Sequence, residues 1–486
     1  MVRWGRNKEN GGAYMLPEAF LVRMRELLGA DYPAFLAAYD ERPVRALHIG
    51  RKMSGERLSA LLGAAVSPAP FAPDAFYRRD EAAVGGDPLH RAGAYYMQEP
   101  SAMLPVLCAD IRAGERVLDV CAAPGGKSTQ IANRIGDRGL LVSNEYVPSR
   151  CVILAGNLER MGVRGAVVTR TDAPTLAATY PALFDAVIMD VPCSGEGMFR
   201  REEIAVSEWS AENVLMCAQR QRQILLAGAE TVRPGGRLIY STCTFSPEEN
   251  EKNVLWFLQT RPEFALEEVP PEVASMTVPG IVPEDSEIGR AVGRFSRRAY
   301  PHTAPGEGQF MCRFRRKADA GIAATDDRGQ QKKERGKQKN RGGSDVTPLT
   351  QEERKAFDAF LTAAGIDGAL LPEAVMFKGG ISLLPVPVPT PPGITYARGV
   401  NAGTVEKGRL CPAHYFFSAY GEYFARRLDL MPDDPTLLSY LAGETFRCGL
   451  ADGWAVVSVA GAPLGGIKVS QGVAKNHYPK GLRDKR

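Results

Sequence analysis

The segment from residue 117 to 129 constrains the fold of this chain more than any other. It reads VLDVCAAPGGKST, an apolar strand followed by a glycine-rich turn and the start of a helix. Because glycine has no Cβ, the backbone N–H groups of such a turn can approach a ligand closely. In an open α/β sheet, ligands bind outside the carboxyl ends of the strands, where this turn would lie. The segment therefore predicts a nucleotide-like ligand at residues 119–128.

The identity of that ligand stays open from this segment alone. A P-loop has the pattern G-x-x-x-x-G-K-[ST], and Cys121 occupies the position of its first glycine. The strand predicted over 186–190 ends in an acid that could hold Mg²⁺ in such an ATPase. An S-adenosylmethionine site of a Rossmann-like methyltransferase is the second interpretation, and a βα turn without a ligand is the third.

Composition bounds the class of protein. With 486 residues, the chain is long enough for about three domains. Hydrophobic residues (44%) and charged residues (24%) occur in the proportions of an ordinary globular protein. The net charge of +4 is too small to indicate nucleic-acid binding by itself, so the placement of the basic residues matters more.

The cysteines and the apolar runs bear on the compartment. Nine cysteines without a C-x-x-C pair disfavour both a disulfide framework and a structural zinc site. No apolar run has the length that spans a membrane, and residues 1–14 lack the apolar core of a secretion signal. We therefore expect a cytoplasmic protein with reduced thiols, no membrane contact and no required metal.

Strands and helices alternate from residue 111 onwards. Such alternation predicts an α/β domain whose parallel sheet is covered on both faces. The predicted strands are 116–120, 139–143, 165–169, 184–189, 237–241 and 309–314, and the predicted helices are 127–135, 148–161, 211–232 and 248–259.

Changes in pattern also divide the chain into parts. Two helices, at 16–28 and 31–39, begin a small N-terminal domain, and a basic segment rich in Gln and Gly predicts a disordered linker. The C-terminal stripe 468–486 holds six Lys/Arg around Tyr478, which fits either RNA contact or a frayed tail. The predicted parts are a loose extension (1–14), an accessory domain (15–108), the α/β domain (109–317), the linker (318–346), an intermediate α/β region (347–392) and a C-terminal domain (393–486).

Two cysteines follow predicted strands and carry the chemistry. Cys193 comes just after strand 184–189, and Cys243 comes just after strand 237–241. In a doubly wound sheet both strand ends face the crevice that the glycine-rich turn also faces. A lone cysteine is usually a buried small hydrophobe, but two of them in polar turns at strand ends favour a reactive site.

Three segments resemble the RNA 5-methylcytosine methyltransferases, the Nop/Sun group of S-adenosylmethionine-dependent enzymes. These segments are 119–129, 190–200 and 240–246. Segments 16–20, 96–103 and 475–483 are similar to the bacterial RsmF branch, which acts on small-subunit ribosomal RNA, so the resemblance covers the chain from Met15. It implies a Rossmann-like class I methyltransferase domain with a mostly parallel seven-stranded sheet. It also implies an N-terminal RNA-binding accessory domain and a C-terminal PUA-like RNA-binding domain.

The resemblance assigns the catalytic residues. Cys243 matches the nucleophile of the family, and Cys193 matches the cysteine that assists proton removal and release. Asp190 and Lys127 would face the edge of the cytosine, where a carboxyl group and an ammonium group can form hydrogen bonds. The chemistry requires a nucleophile, because adding a thiolate to carbon 6 makes carbon 5 reactive enough to accept a methyl group.

The resemblance also assigns the cofactor site for S-adenosyl-L-methionine. Glu145 would bind the ribose hydroxyls, Asp172 the adenine amino group, and Asp190 would lie near the reactive methyl group. The methionine and ribose parts would be held by the turn Cys121, Ala122, Ala123, Pro124, Gly125, Gly126 and Lys127.

The expected partner is RNA, with small-subunit ribosomal RNA or the small subunit itself as substrate and the protein acting as a monomer. A cytidine must leave its stack before a cysteine reaches it. Eight Lys/Arg against one acid between 290 and 317 are expected to contact phosphates beside the crevice, and the resemblance favours RNA for the C-terminal stripe. Three alternatives remain: a transfer-RNA cytosine-5 methyltransferase, a P-loop ATPase that remodels RNA, and an RNA-binding assembly factor that tolerates Cys243→Ala.

Overall fold

The computed structural model describes residues 4–6, 13–80, 84–319 and 345–484. Most of the predicted linker and most of the predicted N-terminal extension lie outside these described residues. Two short strands, Trp4–Arg6 and Ala13–Met15, pair antiparallel at the start of the chain.

A ten-stranded sheet lies at the centre of the molecule. Its strands are β1 (Arg116–Asp119), β2 (Leu140–Asn144), β3 (Ala166–Thr169), β4 (Phe184–Asp190), β5 (Val232–Thr242), β6 (Phe264–Leu266), β7 (Val278–Pro279), β8 (Arg297–Ala299), β9 (Gln309–Arg316) and β10 (Thr395–Arg398). Neighbouring strands follow the order β7-β8-β9-β5-β4-β1-β2-β3-β10, and β6 pairs with β9 outside this order.

The first five strands are parallel to one another, which confirms the predicted Rossmann-like fold class. The sheet has ten strands instead of the predicted seven, and the other five pair antiparallel with their neighbours. One of these additions, β10, comes from beyond the linker and pairs with β3. The pairing covers backbone N–H and C=O groups that β3 would otherwise expose as an edge strand. Because the two strands are far apart in sequence, no local pattern predicts it.

Helices cover the sheet and begin close to their predicted residues, with one exception. The helix predicted from 248 begins at Glu251, because residues 247–250 form a turn in which the Glu249 side chain contacts Ser194. The helices of this part are Pro100–Cys108, Gly126–Ile135, Pro148–Arg160, Ala173–Thr179, Glu203–Ser207, Ala211–Thr231, Glu251–Thr260, Pro271–Ala274 and Glu287–Phe295, with a 3₁₀ turn at Glu196–Met198.

The N-terminal part has a four-stranded antiparallel sheet, and its first two helices pack against the α/β domain. Phe20 meets Phe199 with 4.9 Å between ring centroids, and Phe35 meets Phe245 at 5.5 Å. The helices are Glu18–Leu28, Tyr32–Ala38, Gly55–Leu62 and Pro88–Arg91, and the strands are Arg45–Ile49, Val66–Pro68, Ala75–Arg78 and Tyr95–Met97.

Two five-stranded sheets follow the linker. The first contains Val346–Pro348, Ala374–Phe377, Gly380–Leu383, Val400–Glu406 and Arg409–Pro412. It therefore runs through the boundary that the sequence placed between 392 and 393. The second contains Arg427–Leu430, Phe446–Arg447, Gly453–Val459, Ala462–Ser470 and Val473–Asn476, and the helices here are Gln351–Ala364, His414–Tyr420 and Pro435–Leu441.

The C-terminal stripe is packed, as far as it is described, so the frayed-tail alternative is wrong up to residue 484. Tyr478 is buried at 3% exposure, and Asp484 pairs with Arg91 of the N-terminal part. Lys52 joins three parts of the chain, since its Nζ donates to Arg160 O, Ser418 Oγ and Pro463 O. Among the described helices, none has the length and apolar character needed to cross a membrane.

Candidate active site

The glycine-rich turn follows β1 and begins the helix Gly126–Ile135. Ala122 N donates to Asn144 O at 2.8 Å, which ties the turn to the end of β2. Gly125 has φ +117°, a conformation that side chains other than glycine rarely adopt. A Cβ on Gly126 would come within 3.2 Å of both Gln98 and Tyr96 of the N-terminal part. Gly125 therefore meets a requirement of backbone conformation, and a Cβ at Gly126 would require Gln98 or Tyr96 to shift.

Two buried oxygens near this turn have no hydrogen-bond partner among the described residues. They are Asp119 Oδ1, at the end of β1, and Gln98 Oε1, whose side chain lies over Gly126. Buried polar atoms are nearly always paired, so these oxygens suit a ligand with hydrogen-bond donors. The turn and its surroundings fit a polar, nucleotide-like cofactor.

Glu145 lies where the sequence predicted an acid, directly after β2. It is 4% exposed, and its Oε1 accepts a hydrogen bond from Val147 N at 2.9 Å. Arg150 lies 3.6 Å from Glu145 Oε2 and also donates to Ala123 O at 2.9 Å. Arg150 thus links Glu145, the acid predicted to bind the ribose hydroxyls, to the glycine-rich turn. In the sequence, only its position in the first helical turn after Glu145 indicates such a role.

Asp172 follows β3, as predicted, but has a structural partner. Its carboxylate accepts a hydrogen bond from Thr175 N at 2.8 Å and so caps the helix Ala173–Thr179. Hydrogen bonding with the side chain of Thr175, and then with its backbone N, lowers the pKa of the exposed Asp172 carboxyl. Its predicted contact with adenine stays a prediction.

The two cysteine turns meet at the carboxyl edge of the sheet. Cys193 Sγ and Cys243 Sγ are 3.3 Å apart, and both side chains are half-buried. The parallel register pairs Asp190 with Ser241, so β4 and β5 end level and bring their following turns together. The hydrogen bond to Cys243, together with burial, raises the pKa of the Cys193 thiol well above its ordinary value.

Lys127 and Asp190 form an ion pair beside the cysteines. Lys127 Nζ lies 2.7 Å from Asp190 Oδ2. Burial opposes the charge of Lys127, but the carboxylate of Asp190 outweighs burial and raises the pKa of the ammonium group. Asp190 Oδ1 accepts hydrogen bonds from Ser241 Oγ and from Gln309 Nε2, each at 2.8 Å. Gln309 is a site residue that the sequence did not reveal, since it is a single polar residue at the start of β9.

Two buried glutamates support the cysteine turns and were also missed. Glu196 accepts hydrogen bonds from Thr244 Oγ1 and Phe245 N, both at 2.9 Å, on the turn that carries Cys243. Glu249 accepts a hydrogen bond from the backbone N of Ser194, on the turn that carries Cys193, and its Oε1 lies 2.5 Å from Ser194 Oγ. The signal available in the sequence was that Glu196 lies inside segment 190–200 and Glu249 lies three residues after segment 240–246, although no spacing shows that they point inward.

Only some of the basic residues between 290 and 317 are available for the phosphate-binding stripe that the sequence predicted: Arg290, Arg294 and Lys317 are exposed, whereas others are paired within the protein. Arg298 is 2% exposed and makes two 2.6 Å contacts with Glu251. Arg313 and Arg315 both pair with Glu267. Arg316 is buried as well and donates to a backbone carbonyl. These arginines hold strands and loops together, a use that net charge along the sequence cannot distinguish from RNA contact.

The sheet, the glycine-rich turn and the acid after β2 define a Rossmann-like methyltransferase fold, with a pair of cysteines at its active edge. Comparisons with known families agree. The family described as 16S rRNA methyltransferase RsmB/F matches residues 106–315, the N-terminal domain of RsmF matches residues 16–100, and the RsmF PUA domain matches residues 427–484. The chain is therefore similar to the RsmB/F methyltransferases over three successive segments, which confirms the predicted resemblance.

Curated relatives are similar over part of their length. Ribosomal RNA small subunit methyltransferase F from Enterobacter sp. (strain 638) is 36% identical over 314 residues, which are 62% of this chain and 63% of that protein. The protein of the same name from Salmonella heidelberg (strain SL476) is 39% identical over 260 residues, 51% of this chain and 54% of that protein. The matched segments thus span 63% and 54% of the length of these two relatives.

Solved structures support the fold. A methyltransferase homolog from Pyrococcus horikoshii is 26% identical with a TM-score of 0.53, covering 62% of this chain and 95% of that one. NSun6 from Pyrococcus horikoshii, solved with the S-adenosylmethionine analogue SFG, has a TM-score of 0.53 at 21% identity, covering 62% of this chain and 98% of that one, and shows the fold alone.

Proposed function

We propose that this chain is an RNA cytosine-5 methyltransferase that uses S-adenosyl-L-methionine and acts on a cytidine of small-subunit ribosomal RNA. The observation that carries the proposal is the pair of sulfur atoms 3.3 Å apart beside the Lys127–Asp190 ion pair. A site with two cysteines, a cation and a carboxylate suits covalent attack on a pyrimidine ring. The small-subunit ribosomal RNA named in the relatives favours this target over transfer RNA.

The cofactor would occupy the glycine-rich turn and supply an electrophilic methyl group. The turn from Cys121 to Lys127 would hold its methionine and ribose parts, with Glu145 accepting hydrogen bonds from the ribose hydroxyls. Arg150 fixes the position of Glu145 and of the turn itself. Asp172 would reach the adenine with whatever hydrogen-bonding capacity its helix cap leaves.

Cys243 is the nucleophile in this proposal. Its thiolate attacks carbon 6 of the cytosine, and the ammonium group of Lys127 favours the thiolate electrostatically. Asp190 and Lys127 together present a carboxylate and a donor to the base edge, in an orientation fixed by Ser241 and Gln309. Once carbon 5 carries the methyl group, its proton leaves, the bond from Cys243 Sγ to carbon 6 breaks, and the carbon 5–carbon 6 double bond re-forms.

Cys193 acts in that last stage. Its raised pKa means that Cys193 is a thiol in the resting site, so it must give up that proton before its thiolate can accept the proton of carbon 5. It lies against Cys243 and is therefore placed to assist removal of the carbon 5 proton and release of the enzyme. The N-terminal part and the PUA-like part would bind the RNA around this site, with the protein acting as a monomer in the cytoplasm.

The alternatives make different predictions. A P-loop ATPase would need Lys127 free for phosphate, whereas Lys127 is paired with Asp190 at 2.7 Å. An assembly factor without activity would tolerate loss of Cys243. Bisulfite sequencing of RNA from cells with and without this gene would identify the target nucleotide and separate ribosomal from transfer RNA.

The decisive experiment compares cysteine variants with labelled S-adenosylmethionine and small-subunit RNA, both naked and assembled. Cys243→Ala is expected to abolish methyl transfer, and near-normal turnover would refute the mechanism. Cys193→Ala is expected to leave RNA covalently attached to Cys243. If a denaturing gel shows no RNA-linked protein for this variant during turnover, the role of Cys193 is refuted. Cys411→Ala, at an exposed cysteine outside the site, is the matched control and should behave as the parent protein.

A further inference from the structure

A chain of four oxygen atoms links the two cysteine turns from behind. Glu249 Oε1 lies 2.5 Å from Ser194 Oγ, Ser194 Oγ lies 2.8 Å from Thr244 Oγ1, and Thr244 Oγ1 lies 2.9 Å from Glu196 Oε2. All four side chains are at most 5% exposed. We call these groups the carboxyl–hydroxyl chain. Its two hydroxyl residues directly follow the two cysteines in the sequence.

The carboxyl–hydroxyl chain has three oxygen–oxygen contacts and therefore needs three hydrogen atoms to make three hydrogen bonds. The hydroxyl groups of Ser194 and Thr244 supply only two, because each carries a single hydrogen. If both carboxyl groups were ionised, both hydroxyls would donate outward and the middle contact would join two lone pairs at 2.8 Å. A third proton, carried by one carboxyl group, completes all three hydrogen bonds in one direction.

The hydrogen-bond donors around each glutamate decide which carboxyl carries that proton. Each oxygen of Glu196 already accepts an N–H, from Trp209 Nε1 and from Phe245 N. The two N–H donors to Glu249 both go to Oε2, at 2.6 and 3.1 Å, which leaves Oε1 for the contact within the chain. A proton on Glu249 Oε1 therefore conflicts with no donor.

The surroundings of Glu249 also favour the neutral acid. The ionisable groups that face it are Cys193 and Glu196 on the first cysteine turn, Cys217 on the helix Ala211–Thr231, and Tyr240 on β5, which donates to its backbone oxygen. None of these four is a cation. Burial is the main cause that raises the pKa of Glu249 to about 7.

We propose that Glu249 is protonated in the active protein and is a positioning residue that sets the spacing of the two cysteines. With the proton in place, the carboxyl–hydroxyl chain draws the Cys193 turn and the Cys243 turn together. Without it, Ser194 and Thr244 lose their mutual hydrogen bond, and the two turns repel each other at that point. The kinetic consequence rests on the proposed function, whereas the presence of the proton does not.

Infrared spectroscopy tests the proton directly. Below neutral pH the difference spectrum of parent minus Glu249→Gln should show the C=O stretching band of a neutral carboxylic acid, because other buried acids such as Asp119 contribute equally to both proteins and cancel. Glu248→Gln is the matched control. The carboxylate of Glu248 is next to Glu249 in the sequence, is half-buried, and pairs with Arg23 and Lys252, so it is not part of the carboxyl–hydroxyl chain. A difference spectrum without that band would overturn the proposal. The band in the difference spectrum should also vanish as the pH rises through about 7.

Kinetics test the positioning role. Glutamine mimics the neutral acid, since its amide can donate to Ser194 Oγ and still accept at the other oxygen. The ratio of parent to Glu249→Gln kcat should be near one below neutral pH and fall about tenfold for each pH unit above 7, as the parent loses its proton. A ratio that stays constant while the infrared band titrates would overturn the positioning role. If the parent transfers no methyl group at all, the proposed function fails, and the infrared result still decides whether the proton is present.

Discussion

Replacing Asp119 by Asn should make folding stability less dependent on pH. Asp119 ends β1 with no exposed surface, accepts one hydrogen bond from Ser128 Oγ at 2.7 Å, and leaves its Oδ1 without a partner among the described residues. Burial raises the pKa of this carboxyl from 3.8 to about 7. At about 1.4 kcal/mol per pKa unit, ionising Asp119 in the folded protein costs about 4 kcal/mol relative to the unfolded chain.

The sign follows from proton binding. Below pH 3.8 both states hold the proton, and between 3.8 and about 7 only the folded state does. The contribution of Asp119 is therefore fully present at low pH and is lost as the pH rises towards 7. Asparagine resembles the protonated acid and cannot ionise. The melting temperature of the parent should thus fall more steeply with pH over this range than that of Asp119→Asn.

Thermal unfolding followed by circular dichroism, at one pH near 5 and one near 8, measures this difference. The melting temperature of the variant should exceed that of the parent by a few degrees more at the upper pH than at the lower pH. Glu249 also titrates near 7, so the comparison is repeated in a Glu249→Gln background to isolate Asp119. Parallel falls in melting temperature for parent and variant would refute the reasoning.

Three further predictions test the supports of the site. Arg298→Met leaves a buried carboxylate unpaired and should lower the free energy of unfolding by about 3–5 kcal/mol, measured by urea titration. Gln309→Leu removes one donor to Asp190, so kcat for methyl transfer should fall with little change in KM for RNA. Gly197→Ala puts a Cβ 2.8 Å from the carbonyl oxygen of Cys243, and it should reduce methyl transfer far more than it changes the melting temperature.

The central strands and the main catalytic candidates could be predicted because they depend on local pattern and one geometric rule. Buried parallel strands are short, continuous apolar runs, and they end at one edge of the sheet. Cys193, Cys243 and Asp190 all lie just after or at the end of such runs, so their convergence followed without knowledge of any contact. The turn that holds Lys127 follows β1, the strand next to β4.

Contacts between distant segments could not be predicted in the same way. The sequence shows that Arg298 and Arg313 are basic, but it does not show that acids in other elements neutralise them. Gln309 reaches Asp190 only because β9 reverses direction beside β5. For the same reason the pairing of β10 with β3 could not be predicted, because it depends on the chain returning to the sheet after the linker.

The N-terminal part is bound to the catalytic edge more closely than a separate accessory domain would be. Its Phe20 packs edge-on against Trp209, whose Nε1 donates to Glu196, and Glu196 in turn holds the turn of Cys243. At the other half of the site, Gln98 lies 3.2 Å from the position that a Cβ on Gly126 of the glycine-rich turn would take. Packing of the N-terminal part thus fixes both halves of the site, so the part predicted over 15–108 to bind RNA also completes the scaffold on which the proposed chemistry depends.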